Sequence, residues 1–183
     1  FEVIRAGTAA CRENFIINST TGKESDLEKF LPLAAETGAG LIALTLDENG
    51  VPSTVDGRVE IGARIFTAAL EAGLDPEKIY LDPITLPVNV AQDQPKKLLE
   101  TIGQFQILSD PRPHIVIGLS NLSQGTIQKT LLNSTFLSMA MAAGLDSVIL
   151  NPEDRELMDT LITGEVLLDK FLYNDDYLKA WRA

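Results

Sequence analysis

The chain has 183 residues, 45% of them hydrophobic and 22% charged, with a net charge of −11. That length suits one domain with a substantial core, and the negative balance, with Lys and Arg scattered, argues against a nucleic-acid partner whose phosphates would be repelled over most of the surface. A single cysteine, Cys11, excludes an internal disulfide or a cysteine-rich zinc or iron-sulfur site, and no apolar run reaches the roughly 18 residues of a membrane span.

Phe1 to Arg12 carries Val3, Ile4 and Ala10 at helical spacing, so the chain is expected to begin inside a helix. Phe1-Glu2-Val3-Ile4-Arg5 has neither an initiator Met nor the charged-then-apolar design of a secretory signal, and it reads as a cut end, while the single cysteine fits a reducing cytoplasm. The Asn-x-Ser/Thr triplets at Asn18, Asn121 and Asn133 are therefore not read as glycosylation sites. Five short apolar runs follow: Phe15 to Asn18, Leu41 to Leu46, Ile79 to Asp82, Ile115 to Leu119 and Ser147 to Leu150. Each gives way to Asn, Asp, Ser, Thr or Pro, as strands do, and runs without strict alternation suit parallel strands covered on both faces.

Amphipathic stretches separate them. Asp26 to Thr37 stripes Leu27, Phe30, Leu31, Leu33 and Ala34 ahead of a capping Gly38, and Val59 to Ala72 repeats the plan before Gly73. Pro95 to Leu108 and Leu132 to Ala143 follow, the latter stopping at Gly144 with Met139 and Met141 expected in the core. The last, Asp154 to Leu172, is expected to be the longest helix, with the tail through Trp181 packed back on it. Strands alternating with helices predict a parallel sheet with right-handed crossovers. It is either a doubly wound open sheet or the C-terminal part of an eight-unit (β/α)₈ barrel, and a start in mid-helix favours the barrel. No Gly-x-Gly-x-x-Gly or Gly-Lys-Ser/Thr loop supports a nucleotide-binding open sheet.

In a parallel barrel the chemistry sits at the C-terminal ends of the strands. Those positions hold Asn18, Ser19 and Thr20; Thr45 and Asp47; Asp82; Ser120, Asn121 and Gln124; and Asn151. The set is rich in amides and carboxylates and lacks histidine, so it suits binding through hydrogen bonds. Taken alone, Asp82-Pro83 reads equally as a strand-ending turn, and Asn18-Ser19-Thr20-Thr21-Gly22 as turn chemistry with Ser25 or Asp26 capping the next helix. For Asn121 the local reading is weaker, because three more polar residues follow with no helix start near enough to need them all. His114 precedes its strand and falls at the barrel bottom, away from the tips.

The segments "LIALTLDENGVPSTVDGR", "YLDPITLPVNVAQD", "IGLSNLSQ" and "LLNSTFLSMAMAAGLDSVILNP", in that order, resemble the methyltetrahydrofolate:corrinoid/iron-sulfur protein methyltransferases, and more distantly the folate-binding module of cobalamin-dependent methionine synthase. The resemblance runs across essentially the whole chain. It implies a TIM barrel of the pterin-binding type, of which residues 1–183 supply about strands 4 to 8, the first three strands and an early pterin-binding aspartate being absent. It implies transfer of the N5 methyl group of methyltetrahydrofolate to the Co(I) corrinoid of a corrinoid/iron-sulfur protein partner, with no metal bound by this chain, and it implies a homodimer.

Carried over residue by residue, Asn18 in "INST" and Asp82 in "LDP" match pterin-binding residues. Asn121 in "LSN" matches the asparagine near N5, the catalytic position, Gln124 matches a pocket residue, and Ser120 and Asn151 join them by position alone. The types fit the chemistry. A pterin presents its 2-amino group and N3–H as adjacent donors, which a carboxylate accepts as a charge-assisted pair. At N5, an amide can donate to the lone pair and, turned over, accept from N5–H⁺. Two rivals remain. Dihydropteroate synthase shares the barrel but carries a lysine after the seventh strand and an arginine-histidine pair after the eighth, where this chain has Ser120 to Gln124 and Asn151 to Asp154. The other is a truncated or inactive barrel that binds pterin without turnover.

Overall fold

Each of the five apolar runs forms a strand, and the strands pair in the order in which the chain makes them. The computed structural model describes residues 1–11 and 13–170. Its elements are α1 (Glu2–Ala10), β1 (Ile16–Thr21), α2 (Glu24–Thr37), β2 (Gly40–Leu44), α3 (Val55–Glu71), β3 (Ile79–Asp82), α4 (Gln94–Phe105), β4 (His114–Gly118), α5 (Lys129–Ala143), β5 (Ser147–Ile149) and α6 (Arg155–Leu167). Among the described residues these strands pair with one another in parallel, in the order β1-β2-β3-β4-β5. A doubly wound sheet reverses its order at a switch point and places helices on both faces. Here the order never reverses, so right-handed crossovers lay successive helices on one face, as in the wall of a (β/α) barrel.

Alternation along the strands assigns the two faces. Ile17, Leu41, Ala43, Leu81 and Ile117 share one buried cluster with Phe30, Ile65, Ile102, Phe105 and Leu137 of the helices. The residues between them, Asn18, Ile42, Tyr80, Asp82, His114, Val116 and Gly118, point to the opposite face. Ile42 and Val116 are buried yet stand outside that cluster. α2 and α5 stop where glycines take left-handed conformations, Gly38 at φ 65° and Gly144 at φ 111°.

Several boundaries differ from expectation. β1 runs on through Thr21, because Thr20 and Thr21 pair with Ala43 and Leu44 of β2. Asn18 lies within the strand as expected, and Ser19 and Thr20 lie within it too, not beyond its tip. The register slips between Asn18 and Thr20, and this bulge leaves Asn18 exposed on the open face while turning Thr20, 1% exposed, toward the helices. α2 is capped by neither Ser25 nor Asp26: its N-cap is Lys23, and Asp26 instead accepts from the Thr21 hydroxyl at 2.6 Å. α3 starts at Val55, four residues early, because Thr54 caps it by accepting from the Gly57 N–H. β2 ends at Leu44, not Leu46.

Val3 is exposed on α1, while Ile4 packs against the core. Met141 is buried as expected, but Met139 is half exposed. His114 opens β4 instead of preceding it; it stacks on Tyr80 at 4.8 Å and lies 3.4 Å from Asp146, at the end of the sheet away from the tips. Among the described residues α6, with 13 residues, is shorter than α3 with 17. The expected extension to Leu172, the packing of Trp181 and the position of Arg12 lie outside the described residues. Among the described residues no helix is long and apolar enough to cross a membrane, and no group of His, Cys, Asp or Glu is placed to hold a metal ion.

Candidate functional site

β3 delivers Asp82 to the open face at the C-terminal edge of the sheet. Its backbone is fixed from β2's side: Thr45 donates to the Asp82 carbonyl through both its N–H, at 2.9 Å, and its hydroxyl, at 3.1 Å. The side chain is fixed from the other direction, since the Ile84 N–H donates to Oδ1 at 2.8 Å with Ile84 at φ 65°. The turn reading of Asp82-Pro83 is therefore correct, and it uses only one oxygen; among the described residues Oδ2 has no hydrogen-bond partner. Asp82 is 8% exposed, and burial pushes its carboxyl up to about 6 against the opposing pull of the Ile84 bond. A buried acid, half satisfied by its own turn, is suited to meet a donor pair.

Asn18 faces the same side from β1. It pairs with Ile42, which pairs with Tyr80, so it stands one same-face step below Asp82 and two strand spacings away, roughly 10 Å. Its side chain is exposed and has no hydrogen-bond partner among the described residues.

Asn121 arrives from β4. Instead of running into a loop, the chain after Gly118 closes a short 3₁₀ turn, Leu119–Asn121, whose apolar flanks Leu119 and Leu122 are 1% and 3% exposed. These anchors drive the polar residues outward: Ser120, Asn121 and Gln124 are all exposed. The loop is braced at two points, by the Val88 N–H on the Leu122 carbonyl at 2.9 Å and by Thr126, whose N–H and hydroxyl both donate to the Ser123 carbonyl. The Asn121 amide lies over the Cα of Gly118; a Cβ built there would stand 3.2 Å from Nδ2. Gly118 is two same-face steps along β4 from His114, so Asn121 sits above the face that carries Asp82.

The other positions fall elsewhere. Asp47 accepts from the Asn49 N–H and lies 3.6 Å from Arg64 on α3. Asn151 spends its side-chain oxygen on the Glu153 N–H, a turn leading to Asp154, which caps α6 by accepting from the Leu157 N–H. Thr45 is buried beneath Asp82 as its brace, with 0% exposure. Two features had no sequence signal: the cross-brace from Val88, and the bare Cα at Gly118, whose importance depends on where the Asn121 amide comes to rest.

Residues 1–151 match the family described as pterin binding enzyme. Over 99% of the chain the sequence is 28% identical to a methylcorrinoid:tetrahydrofolate methyltransferase of Eubacterium limosum, of which it spans 67%. It is 34% identical over 81% of its length to methionine synthases of Mycobacterium leprae and Mycobacterium tuberculosis, of which it spans 13%. The fold matches a Yersinia pestis DHPS solved with a pterine-sulfa conjugate, with a TM-score of 0.61 and 13% identity over 92% of this chain and 74% of that one.

Proposed function

We propose that this chain, which belongs to the pterin binding enzyme family, moves a methyl group between N5 of a reduced folate and the cobalt of a corrinoid carried by a partner protein. The observations that support the reading are a buried carboxylate, with one oxygen unpartnered among the described residues, on the face of the sheet opposite the helix-packed core, and an exposed amide lying over a bare Cα on the same face of the next strand. The relatives that it resembles are a methylcorrinoid:tetrahydrofolate methyltransferase and methionine synthases.

Asp82 orients the ring. With its carboxyl at about 6, it is mostly ionised at neutral pH, and the 2-amino and N3–H donors restore to the charge the hydrogen bonds that burial removed. Asn18 completes the polar edge with an amide that offers both donor and acceptor. Gln124 and Ser120 line the rim beside Asn121.

In the forward direction Co(I) attacks the methyl carbon, the carbon–N5 bond breaks, and its electron pair stays on nitrogen. Without a proton the leaving group would be an amide-like anion; protonation at N5 makes it a neutral amine. Asn121 serves this change by donating to the N5 lone pair beforehand and accepting from N5–H⁺ as charge develops. A glutamate could not donate and a lysine would repel the cation. An interaction that strengthens toward the transition state raises the rate without tightening the ground state. By microscopic reversibility the same groups serve transfer from a methylcorrinoid to tetrahydrofolate, the direction in the name of the Eubacterium limosum relative.

The test is transfer between methyltetrahydrofolate and reduced cobalamin, followed in both directions by the cobalamin spectrum. Asn121→Ala should lower turnover on the order of a hundredfold, as loss of one transition-state hydrogen bond does, while changing folate affinity only a few-fold. Equal losses in both would remove Asn121 from the transfer step.

A further inference from the structure

We infer that Gly118 is a positioning residue for the transfer, its missing side chain leaving the clearance in which the Asn121 amide turns. This rests on the reading of Asn121 at N5 given above. If the amide must donate before protonation and accept after it, NH₂ and oxygen must exchange places by rotation about Cβ–Cγ. Among the described residues, the only heavy atoms within 4 Å of a Cβ built on Gly118, its chain neighbours apart, are Nδ2 of Asn121 at 3.2 Å and its Cγ at 4.0 Å. The nitrogen distance is tighter than ordinary side-chain contact, so a methyl group there shifts the amide by a few tenths of an ångström and narrows the path that it sweeps.

The glycine is not required by the backbone. Gly118 has φ −84° and ψ 90°, in territory open to any L-residue. Nor is it required by core packing, since it faces away from the helices while Ile117 and Leu119 on either side are buried. Among the described glycines this one has a Cβ position touching nothing beyond its chain neighbours except a proposed site residue. Gly125 nearby contrasts with it, being held at φ 76° and crowded by Asn89.

The inference makes Gly118→Ala a perturbation confined to one amide. The variant should melt within about 2 °C of the wild type and bind methyltetrahydrofolate within about twofold, because Asp82 and Asn18 are untouched. Its turnover should fall roughly five- to fiftyfold, since misplacement of a reacting group by a fraction of an ångström is costly. The discriminating measurement is the cycle with Asn121→Ala. In that background the alanine at 118 should cause no further loss, because the group it crowds is gone. A Gly118→Ala enzyme as fast as wild type overturns the inference. So does an equal loss with and without Asn121, or a parallel fall in melting temperature and folate affinity, either of which makes the position structural. Full activity in Asn121→Ala alone instead overturns the reading of Asn121, and the two failures are told apart by that single variant.

Discussion

Replacing Asp82 by Asn should stabilise the folded chain while destroying its hold on the pterin. Asp82 is 8% exposed, and the one bond to its side chain among the described residues, from the Ile84 N–H to Oδ1, can be kept by an asparagine oxygen. Burial moves the carboxyl from 3.8 to about 6, and at about 1.4 kcal/mol per unit the charged form is disfavoured by roughly 3 kcal/mol in the folded state. The substitution should therefore add about 1–3 kcal/mol at pH 7, raising the melting temperature by about 3–9 °C for a domain of this size. The sign with pH is fixed. The folded state holds this proton more tightly than the unfolded chain, so the contribution is fully present below about pH 4, falls as pH rises through about 6, and is absent above. Other carboxylates titrate in the same range, but they do so in both proteins. The gap between variant and wild type should thus open from near zero at pH 4 to its full size by pH 7. Folate affinity should fall on the order of a hundredfold or more, because two charge-assisted bonds are lost and an amide donor can be turned against the pterin donors. Chemical denaturation across pH 4 to 8, with folate titrations of both proteins, measures all of this. A variant less stable than wild type at pH 7, or a gap that does not change with pH, would refute the argument from burial.

The same linkage predicts that wild-type affinity for methyltetrahydrofolate is level above pH 7 and declines toward tenfold per unit below about 6; a titration flat from pH 5 to 8 would separate the carboxylate from the ring. Thr45→Val removes the hydroxyl bond to the Asp82 carbonyl but keeps the N–H bond at 2.9 Å, so it should cost about 1 kcal/mol in urea and weaken folate binding a few-fold. No change in either would show that the brace does not position the acid. Asn151→Ala should lose about 0.5–1 kcal/mol from the turn before α6 and leave methyl transfer intact; loss of turnover without loss of stability would return Asn151 to the site. Gly62→Ala sets helix propensity against packing, since the new Cβ would stand 2.7 Å from the Phe105 ring. Overpacking of about 1–3 kcal/mol should exceed the propensity gain of about 1, giving a net destabilisation in thermal melts.

β3 was legible because Ile79 to Asp82 is an unbroken apolar run stopped by Asp-Pro. The C-terminal half of β1 was not, because Ser19 to Thr21 has the composition of a turn, and composition does not reveal that its backbone continues the ladder with β2. A strand whose side chains face an open surface and a bulge need not be apolar. The methionines were legible in principle. Residues two apart on a helix point about 200° from each other, so Met139 and Met141 could not both face the core. Thr45 was visible as a polar residue at a strand end, but its service to Asp82 depends on the register of β2 against β3, which no local pattern encodes. Gly118 raised no signal, because an ordinary backbone conformation gives glycine no conformational reason to be there.

The most direct measurement is a crystal structure of the chain with methyltetrahydrofolate bound. The account predicts the pterin lying against the open face, the Asp82 carboxylate within about 3 Å of both the 2-amino nitrogen and N3, and the Asn121 amide within hydrogen-bond reach of N5. A pterin bound with its N5 edge toward Asp82, or on the helix side of the sheet, would contradict it.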